Sequence, residues 1–141
     1  MLAQQRGRHT VHKINNHKTN ECNEAITITA DEPDAKYGNA SHIYDLSWLE
    51  QDGSGMSVEI AFQRGPIKEV GVNGVTNEAL LAVLIHRMTG FQSGEFACSS
   101  NQVALDHLAG AMLAFKSRTK RRIEQGVEGT NVVHTESAET D

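Results

Sequence analysis

Aromatic residues are scarce in this chain. Four Phe, two Tyr and one Trp make up 5% of 141 residues, and apolar residues in total reach only 38%. Such a chain builds a modest core, and a small domain gains from burying more surface against a second copy. Cysteine occurs twice, at Cys22 and Cys98. Two distant cysteines match no zinc or redox spacing and no disulfide scaffold, which points to a reduced, intracellular setting. No apolar run approaches the roughly 20 residues that cross a bilayer, and the N-terminus carries no apolar leader core. A soluble cytoplasmic protein without a membrane partner is therefore expected. The seven histidines are scattered, and His86 and His107 have no partner at ligand spacing, so neither metal nor cofactor is expected. No Ser-His-Asp or Cys-His order stands out, and no catalytic residue is assigned. Gly71-Val72-Asn73-Gly74-Val75 is a tight turn lacking the Gly-Lys-Ser/Thr ending of a phosphate loop. A net charge of −5 argues against general nucleic-acid binding, which wants a basic domain.

What is present falls into four stretches. Residues 1–24 are polar and aperiodic and are read as a mobile arm or a weakly held edge element. Residues 25–72 form an antiparallel β-sheet region. Ala25–Thr29 alternates and is β-branched; Ile43–Trp48 and Met56–Phe62 alternate across a Gly-rich turn and make a hairpin. A short further strand is expected near Ile67–Val72. Residues 73–130 form a two-helix hairpin. Thr76 is the expected N-cap of the first helix, with Gly90 as its stop. Ser99 and Gln102 resemble a capping box for the second, which should run to about Gln125 before Gly126. Residues 131–141 form an acidic tail. The fold class is α+β, an N-terminal antiparallel sheet followed by a C-terminal helical hairpin.

The hairpin carries the chemistry. Leu105, Leu108, Met112 and Phe115 form a narrow apolar seam on the second helix, and past Phe115 the stripe meets Arg118, Thr119 and Arg122. Arg118 and Arg122 are four apart on one face and repel unless an anion lies between them; guanidinium forks suit phosphate. Lys120 and Arg121 look like a solvated flank. Phe91 and Phe96 lie between the helices beside Asn101: a ring can stack on a base, and the amide can read a base edge or a ribose hydroxyl. One of the two rings, Phe96 by preference, is expected to plug the end of the hairpin core. Arg64, at the end of the third strand, is an additional phosphate contact. Asn101 and Arg118 are seventeen residues apart, about 25 Å of helix. One compact nucleotide reaches both only if two chains contribute, so the hairpins should dimerise through antiparallel second helices.

These residues also resemble a known family. NGVTNEALL, FQSGEFACSSNQVAL and RTKRRIEQGVEGT, in that order over residues 71–130, resemble the phage Thoeris anti-defence sponge family. The resemblance implies an N-terminal antiparallel sheet with a C-terminal helical hairpin. It implies a homodimer, further assembled into a hexamer (a trimer of dimers), working in the host cell cytoplasm. The activity it implies is sequestration, without degradation, of cyclic ADP-ribose isomers, glyco-cyclic ADP-ribose among them, with cyclic di- and trinucleotides as further ligands. By motif position it places the base-stacking aromatic on Phe91, the polar helix-start residue on Asn101 and the phosphate-binding arginines on Arg118 and Arg122. This chain departs from the family pattern at Glu95, where proline is expected, and at Gln125, where a base is expected. Glu95 adds negative charge near the pocket mouth. The competing classes are a hydrolase of cyclic nucleotides, which would release linear product, and a helical regulatory module contacting nucleic acid through Arg118–Arg122, which would bind duplex in a strongly salt-dependent way.

Overall fold

A computed structural model describes residues 11–136 of the chain. They divide into two compact units, one ending at Arg64 and the other beginning at Gly65.

The first unit is a four-stranded antiparallel sheet. Its strands, β1 (His12–Ile14), β2 (Thr27–Ala30), β3 (Ile43–Leu49) and β4 (Gly55–Ala61), lie in sequential order. β3 and β4 form the expected hairpin. Its turn closes through Glu50 N–H donating to the Ser54 carbonyl, with Gly53 at a φ of 86° that favours glycine. The register settles which side of the alternation faces inward. Tyr44 pairs with Ile60, Leu46 with Val58 and Trp48 with Met56. Tyr44, Leu46 and Trp48 are half-buried, whereas Ile43 and Leu49 are exposed. The Tyr44 and Phe62 rings meet edge to face at 5.5 Å.

The beginning of the sheet differs from expectation. A short helix, α1 (Glu21–Ala25), occupies residues read as arm and as strand. Asn20 caps it by accepting from the Asn23 amide, and Glu21 and Glu24 favour its N-terminal end. Local capping thus overrides the β-preference of Ala25 and Ile26, and β2 starts two residues later. Within the arm, β1 is an edge strand on β2. The rest of the arm, residues 1–10, and the tail beyond Glu136 lie outside the described residues.

The second unit holds α2 (Ile67–Val70), α3 (Asn77–Gln92) and α4 (Ser99–Glu124). A strand was expected where α2 lies. Pro66, with φ near −73°, starts a helical turn instead: the amides of Glu69 and Val70 both donate to its carbonyl, and Gly71 at φ 72° ends it. Thr76 caps α3 as expected, accepting from the Ala79 amide at 3.1 Å. α3 runs through Gly90 to Gln92. The cap of α4 is Cys98 rather than Ser99, its Sγ accepting from the Asn101 amide.

α3 and α4 pack as a hairpin. Leu80, Leu81, Ile85 and Met88 of α3, and Leu105, Leu108, Met112 and Phe115 of α4, are each half-buried. The seam therefore faces α3. On the opposite side of α4, Val103 and Leu113 are exposed at 55% and 66%, and Gly110 lies between them with nothing within 4 Å of where a Cβ would stand. No apolar side chain of the two helices is buried; Arg122 is the buried residue of α4. Two helices cannot cover each other's apolar faces alone, so this unit retains surface suited to a partner.

Candidate functional site

The turn between α3 and α4 is built by amides. The Gln92 side chain donates to the Cys98 carbonyl at 3.1 Å and accepts from the Cys98 amide at 3.0 Å. This two-point bond closes residues 93–98 much as a strand pair would. The Asn101 Nδ2 donates to the Phe96 carbonyl at 3.2 Å. Held this way, the loop needs no apolar plug, and Phe96 is 69% exposed instead of filling the hairpin core. Phe91, in the last turn of α3, is 36% exposed. The two rings line one cavity of about 290 Å³ with Arg87, Gly90 and Gly94. The Arg87 guanidinium carbon sits 4.8 Å above the centre of the Phe91 ring. Sequence reading had not singled out Arg87. Its spacing of four from Phe91 on a helix was the available signal.

Small-molecule sites commonly measure roughly 300–1,000 Å³. This cavity therefore suits a base with part of its sugar, not a whole cyclic nucleotide. Asn101 is tied to the backbone of the lining residue Phe96, with one amide proton on the Phe96 carbonyl and its Oδ1 without a hydrogen-bond partner among the described residues. That oxygen can accept from a ribose hydroxyl.

The two arginines at the far end of α4 have different surroundings. Arg118 is exposed and makes no ion pair with a described residue. Arg122 is 7% exposed, and its guanidinium is committed within the chain. Its Nε donates to Glu128 at 3.1 Å, Nη1 to the Val132 carbonyl at 2.9 Å, and Nη2 to the carbonyls of Val127 and Thr130 at 2.8 and 3.0 Å. Gly126 and Gly129, at φ of 70° and 76°, let the chain turn round this fork. Arg122 organises the post-helix loop, and any ligand contact from it would come at the expense of those bonds.

The segment after that loop is tied down by neighbours. The Gln125 amide donates to the Thr135 carbonyl and accepts from the Thr135 amide, both at 2.8 Å. Arg121 pairs with Glu136 at 3.2 Å. The hydrogen bond from His134, and then the Arg121 charge, outweigh partial burial and hold the Glu136 carboxyl below the usual range. Gln125→Ala should leave the helices intact and release residues 131–136. Hydrogen exchange at the Thr135 amide would rise at least tenfold while Tm moves by only a degree or two; unchanged exchange would show that the segment is held elsewhere.

Thr119 is half-buried and lines a groove of about 510 Å³ with Glu78, Lys116, Lys120, Ile123 and Glu124. Arg64 belongs to the sheet unit. Its Nε and Nη2 each lie 2.7 Å from Asp34 Oδ2, and its guanidinium is 5.9 Å from the Tyr37 ring centre. Burial pushes the Asp34 carboxyl up, but the Lys36 amide and the Arg64 guanidinium together bring it below its ordinary value.

The structure thus gathers Phe91, Phe96 and Asn101 at one end of the hairpin. It sets Arg118 and Thr119 at the other end of α4, about 25 Å away by the helical rise. Among the described residues no cluster of three or more His, Cys, Asp or Glu suits a metal ion, and no helix is long and apolar enough to cross a membrane.

Comparison with known proteins gives this arrangement a context. Residues 55–120 match the Acb2/Tad1 hairpin domain. The chain is 42% identical over 81 residues to Thoeris anti-defense 1 of Bacillus phage SBSphiJ7, an alignment spanning 57% of this chain and 57% of that protein. Residues 55–120 thus carry the likeness to the Acb2/Tad1 hairpin domain, and both comparisons support the Thoeris anti-defence family that the sequence resembles.

Proposed function

We propose that this protein is a phage anti-defence sponge. It captures cyclic ADP-ribose signals in the host cytoplasm and holds them without cutting them. The observation that carries the reading is the division of labour along the hairpin. An aromatic cavity with an amide acceptor lies at one end, and an uncommitted guanidinium at the other. Rings stack on bases, Asn101 accepts from ribose, and Arg118 pairs with phosphate. A guanidinium stays protonated at neutral pH and serves as neither base nor nucleophile. These groups grip a ligand; they do not activate water against it.

Both ends act on one ligand in a homodimer. Asn101 and Arg118 are symmetrically placed about Ala109 and Gly110 on α4. An antiparallel pairing about that point puts Asn101 of one chain level with Arg118 of the next, twice per dimer. The open side of α4, with Val103, Leu113 and Gly110, supplies an apolar surface and close approach for the pairing. Three such dimers would make the hexamer, and cyclic di- or trinucleotides would be its second class of ligand.

The test is a panel of cyclic ADP-ribose isomers and cyclic oligonucleotides, assayed by calorimetry and then by mass analysis after denaturing the protein. Recovery of an intact cyclic ADP-ribose isomer is the expected result. Phe91→Ala should weaken its binding by about tenfold or more, since base stacking is worth roughly 1–3 kcal/mol, with Tm nearly unchanged. Recovery of linear product would establish a hydrolase instead.

A further inference from the structure

Arg87 has no role in the reading above, yet it lines the aromatic cavity and sits over the Phe91 ring. We propose that Arg87 is a second phosphate-binding residue of the nucleotide site, parked on the Phe91 ring until a nucleotide displaces it. The proposal rests on the reading of this cavity as a nucleotide site and names a further residue in it.

Three observations carry it. First, the guanidinium lies 4.8 Å above the ring centre, on a face that a base would need for stacking on that side. A base and a guanidinium cannot share that space, so a base stacking there moves Arg87 aside. An exposed cation–π contact contributes only about 0.5–1 kcal/mol, so displacement costs little. Second, Arg87 is exposed and forms no ion pair with a described residue, unlike Lys120, Arg121 and Arg122 farther along the hairpin, which meet Glu124, Glu136 and Glu128. Its charge is available to an incoming anion. Third, Gly90 sits inside α3, where glycine costs roughly 1 kcal/mol against alanine. No atom lies within 4 Å of a Cβ placed there or at Gly94. No packing within the chain requires either glycine; their open backbone leaves the cavity floor clear beside Phe91.

The ligand class follows from this pairing. An aromatic ring and a guanidinium one helical turn apart match a base and the phosphate of the same nucleotide. Arg118 then meets the second phosphate of a diphosphate-bridged ligand from the other end of the pocket. Glu95, between Gly94 and Phe96 in sequence, places an opposing charge in the same loop. Arg87 offsets it.

Arg87→Gln, Arg87→Lys and the wild-type protein would be titrated by calorimetry with the cyclic ADP-ribose panel at two salt concentrations, with Tm measured for each. The expected result is tenfold or greater weakening in Arg87→Gln, a flatter dependence on salt than in wild type, and partial recovery in Arg87→Lys. Arg87→Gln binding with wild-type affinity would overturn the assignment while leaving the nucleotide reading intact. Weaker binding with wild-type salt dependence would overturn it too, since Arg87 would then only support the Phe91 ring. If Arg87→Gln fails to fold, Arg87→Ala, which also removes the charge, decides by the same two readouts. No binding by wild type to any member of the panel would bring down the nucleotide reading itself, and this proposal with it.

Discussion

Arg118→Glu should abolish capture of cyclic ADP-ribose without loosening the fold, whereas Arg122→Ala should loosen the fold first. The two residues are one helical turn apart and look equivalent in sequence. Arg118 is exposed with no ion pair among the described residues, so reversing its charge removes nothing from the folded chain. In the ligand complex it would remove a charge-assisted hydrogen bond worth roughly 1.5–3 kcal/mol and add repulsion against phosphate. Affinity should fall at least about a hundredfold, with Tm within a degree or two of wild type. Arg122 instead anchors Glu128 and three backbone carbonyls from a buried position. Truncating it strands those acceptors and should cost about 3 kcal/mol. That corresponds to a Tm drop of roughly 10 °C for a chain of this size. Calorimetric unfolding and ligand titration on both variants separate the roles. Wild-type affinity in Arg118→Glu would sink the phosphate assignment. Wild-type Tm in Arg122→Ala would show that the loop does not depend on its fork.

That separation was not legible in the sequence, and the reason is physical. Helical spacing places Arg118 and Arg122 on one face, but it says nothing of the loop that returns after Gly126 and supplies the carbonyls. The same limit applies to Phe96. Its neighbours suggested a core plug, but the loop is closed by Gln92 and Asn101 amides, bonds that leave no periodic mark. Local features with a strong pattern were legible. The β3–β4 hairpin, the Thr76 cap and the four seam residues of α4 follow directly from period two, from capping chemistry and from period 3.6. Where two local preferences competed, the pattern misled. Asn20 capping defeated strand propensity at Ala25, and Pro66 converted an apolar run into a helical turn. Arg87 was overlooked because a lone arginine on a helix reads as solvated; only its placement over Phe91 marks it.

Mixing chains should recover binding that neither variant has alone. Asn101→Ala retains Arg118, and Arg118→Ala retains Asn101. If each pocket takes one residue from each chain, a mixed dimer holds one intact pocket and one doubly damaged pocket. Random exchange makes half the dimers mixed, so about a quarter of all pockets should bind with wild-type affinity. Calorimetry would read this directly as a fractional stoichiometry. No recovery, with mixed dimers confirmed by native mass spectrometry, would refute the shared pocket. Gly110 offers an independent check of the same geometry. Nothing lies near its Cβ position within the chain, so Gly110→Gln is sterically free there, and α4 should gain up to about 1 kcal/mol of helix propensity. At the proposed crossing point, however, the added side chain would force two α4 helices apart. The variant should therefore keep or exceed wild-type helicity while dimerising and binding at least tenfold more weakly. A fully dimeric Gly110→Gln with intact binding would move the crossing point off Gly110, and the level pairing of Asn101 with the partner's Arg118 would go with it.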